Sequence, residues 1–88
     1  MPRSQEDPAL LLDMMDSARA IVEMVAGMTY SAYAADRRTR RAIEREIEII
    51  GEAARKVSAG FQDAHPQVPW RKIVAQRHKL AKAGQRTA

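Results

Sequence analysis

Eighty-eight residues are enough for one compact domain and leave no material for a second core, and an apolar fraction of 45% in which sixteen residues are alanine and four aromatic suits closely packed helices around a thin core. The absence of cysteine excludes a disulfide framework, a zinc ribbon and a thiol nucleophile, and no apolar run approaches the roughly 18 residues of a membrane span. The formal charge of +4 is uneven, −4 over residues 1–36, +2 over 37–70 and +6 over 71–88, so the C-terminal end can attract phosphates, although a basic tail also serves solubility.

Asp7-Pro8 reads as an N-cap followed by proline at the first helical position, which predicts a helix starting there. Leu11, Met14 or Met15, Ala18, Ile21 or Val22, Val25 and Met28 recur at steps of three and four, with Asp13, Asp16, Arg19 and Glu23 elsewhere on the wheel. The Met14, Met15, Met24 and Met28 stripe is either core filling or a pliable binding face, core filling being the simpler reading. Gly27 and Thr29-Tyr30-Ser31 are expected to end this helix.

Asp36 is placed to cap a second, longer helix whose seam is Ile43, Ile47, Ile50, Ala54 and Val57, the pattern of a helix in an antiparallel bundle. Gly51 within it costs roughly 1 kcal/mol relative to alanine and suggests close approach of another backbone. Arg37, Arg38, Arg40 and Arg41 open this helix where the macrodipole disfavours cations. They read either as a solvated basic turn neutralised by Asp36 and Glu44, the simpler account, or as phosphate contacts. Glu44, Glu48 and Glu52 form a solvated stripe, with Glu52 placed to pair with Lys56. Neither this stripe nor the two histidines, thirteen residues apart, argues for a metal.

Ser58-Ala59-Gly60 is expected to stop the second helix, with Gly60 in the left-handed capping conformation. A loop follows in which Pro66 and Pro69 push His65 and Val68 towards extended backbone. Trp70 anchors that loop to the core, and His65 orients it. Trp70, Ile73, Val74 and Leu80 outline a third amphipathic helix, after which residues 84–88 are expected to fray. One domain over residues 1–88, all-α with three main helices, is the expected architecture.

Three stretches occur in one order: Asp36-x-x-Thr39-Arg40-Arg41-Ala42-Ile43-x-Arg45, then Glu48-Ile49-Ile50-Gly51-Glu52-Ala53-Ala54, then His65-Pro66-x-Val68-Pro69-Trp70-x-x-Ile73 running into Arg77-His78-x-Leu80-Ala81. As an ordered set they resemble the HepT-like family of HEPN-domain proteins, over about residues 10 to 82. The resemblance implies an antiparallel helical bundle that forms a homodimer, with the family's last helix expected to be absent here. It further implies a toxin of a toxin–antitoxin pair that cuts RNA without metal or other cofactor, in a chain whose lack of cysteine points to the cytoplasm. The partner it implies is a minimal nucleotidyltransferase antitoxin, which adenylylates the tyrosine of an R-x4-H-x-Y motif.

Carried onto this chain, the motif arginine is Arg77, the histidine position is Lys82 and the tyrosine position is Gly84. Cleavage at a 2′-hydroxyl needs a proton acceptor near neutral pH and a fixed cation for the developing phosphorane charge. Arginine meets the second need. A lysine, ordinarily near pKa 10.4, meets the first only if depressed by roughly three units. Gly84 offers no acceptor hydroxyl. The expectation is therefore a family member whose cleavage is impaired, or a non-catalytic module that binds the nucleotidyltransferase or RNA. Arg71 and His78 lie on one helical face and form an alternative pair, in which His78 would serve as base. Arg71, Lys72 and Lys79 are the expected RNA contacts.

Overall fold

The computed structural model describes residues 2–76, with side chains from residue 6. Five helices account for most of it, α1 (Pro2–Val25), α2 (Tyr30–Ala35), α3 (Arg37–Lys56), α4 (Ala59–Ala64) and α5 (residues 70–76), and no strand occurs among the described residues. The all-α expectation holds. Residues 84–88, expected to fray, lie outside the described residues.

α1 and α3 run antiparallel as the main pair. Leu10, Leu11 and Met14 pack against Ala54 and Val57 at one end, while Ile21 and Val25 gather beside Ile43 at the other. The expected seam of α3 faces this contact: Ile43, Ala54 and Val57 are buried and Ile47 and Ile50 half-buried. Gly51 and Ala53 flank the seam and are buried too, so α3 presents mainly small residues. Of the methionines, Met14 joins the core, Met24 and Met28 are half-buried, and Met15 stands 57% exposed. Ala18, expected inward, is exposed, and the buried polar residue of this stretch is Ser17.

Several boundaries differ from the sequence expectation. α1 begins at Pro2, so Pro8 lies inside the helix and removes one hydrogen bond to the carbonyl four residues earlier. Asp7 does not cap it. Its carboxylate is buried and accepts from the Ser58 backbone N–H at 2.9 Å and the Ser58 hydroxyl at 2.6 Å, tying α1 to the α3–α4 junction. Gly27, at φ +77°, adopts the left-handed conformation that closes α1. Thr29 then opens α2, its hydroxyl accepting from the Ala32 N–H.

Asp36 caps α3 as expected. One carboxylate oxygen accepts from the Thr39 N–H at 3.1 Å and the other from the Thr39 hydroxyl at 2.8 Å. These bonds to Thr39 hold the Asp36 carboxyl below its ordinary value, with Arg38 adding to the effect. At the other end α3 stops at Val57, and Ser58 is an N-cap, its Oγ accepting from the Phe61 N–H at 3.2 Å. Gly60 therefore lies inside α4 and is not a left-handed cap.

The loop after α4 departs from the sequence expectation at His65, whose backbone lies outside the extended region. His65 leaves the helix at φ −128°, ψ 61°, its ring stacks on Phe61 with centroids 4.1 Å apart, and Nδ1 donates to the Phe61 carbonyl at 3.0 Å. Trp70 is buried against Ala54 and Val57, meets Phe61 edge-on, and donates from Nε1 to the His65 carbonyl at 3.1 Å. The indole thus fixes where α5 starts and which way its first turn faces.

Candidate nucleic-acid interface

Because Trp70 turns inward, the next two residues of α5 turn out. Arg71 and Lys72 are both exposed, while Ile73 and Val74 pack back against the core. Arg71 stands on the ridge between two open grooves. The first, of about 350 Å³, is walled by Arg55, Gln62, Trp70, Val74 and Ala75. The second, of about 420 Å³, is walled by Gln62, Asp63, Val68, Pro69 and Lys72.

The walls of the first groove are set by local bonding. Gln62 donates from Nε2 to the carbonyls of Ala54 and Val57 at 3.2 and 3.0 Å, so its amide satisfies the C-terminal end of α3. Arg55, in place of the expected Lys56, donates from Nε and Nη2 to Glu52, and this raises the guanidinium pKa further. Its charge is already matched. Arg71 makes no ion pair among the described residues, which leaves its planar fork available to a phosphate in either groove.

The described residues thus provide two cations, Arg71 and Lys72, and apolar walls, with the Asp63 carboxylate as the acidic side chain lining the second groove. Of the two histidines, His65 is committed to Phe61 through ring stacking and Nδ1. Arg77, His78, Lys79 and Lys82, the remaining site residues read from the sequence, lie outside the described residues, as does the Arg71–His78 pairing. Among the described residues no group of three His, Cys, Asp or Glu side chains is arranged to hold a metal ion. No helix among them is long and apolar enough to cross a membrane.

At the far end of α3, Arg37, Arg38, Arg40 and Arg41 are all exposed, and Arg37, Arg40, Arg41 and Glu44 line a shallow depression of about 230 Å³. Sequence reasoning picked out Arg71 and Lys72 by charge but missed Arg55 and Gln62. The Glu52-x-x-Arg55 spacing signalled the ion pair, yet nothing local signalled that α3, α4 and α5 converge there.

Comparison with known proteins adds a family signal. The family model described as HepT-like, "Ribonuclease HepT-like", matches residues 14–83. A Methanocaldococcus jannaschii protein named "Putative RNase MJ0127" is 33% identical over 82% of this chain and 60% of its own length. A second from the same organism, "Putative RNase MJ1380", is 35% identical over 82% of this chain and 66% of its own. "Probable ribonuclease HepT" of Thermococcus cleftensis is 34% identical over 94% of this chain and 74% of its own. The first two alignments thus span less than two thirds of the relatives they match. No solved structure matches the chain.

Proposed function

The chain belongs to the HepT-like ribonuclease family, and from that premise we propose that it is the RNA-targeting toxin component of a toxin–antitoxin module, with its own cleavage activity impaired. The observation that carries this reading is the placement of Arg71. It is a guanidinium without an ion pair among the described residues, between two grooves at the root of α5 and six residues before Arg77, where the family resemblance puts the motif arginine. Phosphate held by these arginines is positioned and charge-stabilised, while Lys82 in place of histidine leaves the proton transfer without a group that titrates near neutrality. Binding without efficient turnover is the consequence.

Association belongs to the same proposal. Leu12, Met15 and Val22 fall within about 80° of one another on the outer side of α1 and are 56%, 57% and 66% exposed, an apolar surface for a second copy or the nucleotidyltransferase antitoxin to cover. Gly84 removes the hydroxyl that such an antitoxin modifies, so its control of this chain would act through binding alone.

The test is RNA cleavage by the purified protein with and without Lys82→His. Slow wild-type turnover that rises in the histidine variant and vanishes with Arg77→Ala supports the proposal. Rapid wild-type cleavage abolished by His78→Ala would overturn the Lys82 argument in favour of the Arg71–His78 pair. Tight binding to a nucleotidyltransferase with no RNA binding would instead establish the non-catalytic interaction module.

A further inference from the structure

The first turns of α3 carry charge in an arrangement that folding does not explain. Arg37, Arg40 and Arg41 sit 0°, −60° and +40° around the helix, so all three guanidinium groups project from one face. They are exposed, and among the described residues none makes an ion pair. Glu44 is the one carboxylate lining their depression. The positive end of the α3 dipole lies directly beneath them, and the carboxylate that answers it, Asp36, is bonded to Thr39 with Arg38 acting on it. Three like charges against one, set at the helix end that repels cations, destabilise the free protein. An external polyanion reverses the sign of that contribution.

We propose that Arg37, Arg40 and Arg41 form a second RNA-backbone contact, separate from the grooves at Arg71. The proposal rests on the preceding reading in its choice of RNA as the anion. The two surfaces lie at opposite ends of α3: Trp70 packs on Ala54 and Val57, fourteen residues or about 20 Å along the axis from Arg40. At about 3.4 Å per stacked nucleotide, a strand reaching from one to the other needs roughly six nucleotides or more. The arginine face selects no base, because guanidinium forks on phosphate fix register and affinity without reading sequence. It sets a minimum length for tight binding and holds the strand so that its other end reaches α5.

The experiment measures binding of fluorescent oligouridylates of 4 and 12 nucleotides across a salt series, for the wild type and for the triple variant Arg37→Gln, Arg40→Gln, Arg41→Gln. Wild type is expected to prefer the 12-mer. The triple variant is expected to lose tenfold or more of its 12-mer affinity, most of its length preference, and about 2 units of log–log salt slope, at roughly 0.7 per phosphate contact. Its melting temperature should equal or exceed that of wild type, since cations leave the positive end of a helix, so lost binding is not lost folding. Steep, length-dependent wild-type binding that the triple variant retains would overturn this proposal and leave the preceding one standing. Absence of salt-sensitive RNA binding in the wild type would overturn both. Retained RNA binding with lost binding to polyglutamate would assign the face to an acidic protein partner and refute its role with RNA.

Discussion

Replacing Asp7 with alanine tests the long-range tie that closes this fold. The carboxylate accepts two hydrogen bonds from Ser58 at 2.9 and 2.6 Å, is 6% exposed, and joins residues 51 positions apart. Hydrogen bonds to a charged group contribute about 1.5–3 kcal/mol, and a backbone N–H left unpaired in a part-buried position costs about 1–3 kcal/mol. Because the Ser58 hydroxyl also caps α4, it reorients when the carboxylate goes and recovers part of the loss. A net destabilisation of about 2–3 kcal/mol follows. That is a large share of the roughly 4–13 kcal/mol expected for 88 residues, and it corresponds to a fall in Tm of about 10–20 °C. Urea and thermal unfolding followed by helical circular dichroism measure it. A double-mutant cycle with Ser58→Ala should return a coupling of about 1–2 kcal/mol. An Asp7→Ala variant within about 0.5 kcal/mol of wild type, the range of an ordinary surface substitution, would refute the reasoning.

Three further outcomes follow from other elements. Gly27→Ala, which places a Cβ at φ +77°, should destabilise by about 1 kcal/mol although the site is open, as measured by urea unfolding. Ile43→Ala removes the one large buried side chain of α3 and should cost about 2–4 kcal/mol by the same assay, with weakened order in α2, whose Tyr33 shares its apolar pocket. Asp36→Asn should show a pH signature. The folded-state pKa of Asp36 is depressed, so its stabilisation is present above the ordinary value of 3.8 and fades as pH falls through the lowered one. The Tm gap between wild type and variant is therefore expected to be full near pH 6 and to close on acidification below 3.8.

What could be read from the sequence was local. The Ile43-to-Val57 seam, the Asp36 cap, the Gly27 stop and the Trp70 anchor each rest on residues within a turn or two of one another, and each stands in the structure. Thr29 and Ser58 look like parts of a helix end because a residue that follows one helix so closely also begins the next, and both cap six-residue helices. Asp7-Pro8 carries the signature of a helix start, but the carboxylate is claimed by Ser58, a partner with no trace in the local pattern. Glu52 reaches both i+3 and i+4, and the guanidinium of Arg55 takes it over the single ammonium of Lys56 through two donors. The site divides the same way. Arg71 and Lys72 were legible as charge beside an inward tryptophan, whereas the grooves around Arg71 exist only because three helices meet.

The tryptophan at that meeting point also has optical value. Trp70 is the sole indole of the chain, 8% exposed, edge-on to Phe61 and bonded through Nε1 to the loop carbonyl of His65. The native protein should therefore emit from one shielded fluorophore, blue of the unfolded chain. Because the indole walls both grooves that flank Arg71, an RNA strand or protein seated in either alters its emission without any label, whereas a strand held by Arg37, Arg40 and Arg41 alone leaves it unchanged. The fold carries its own reporter of which end of α3 is occupied.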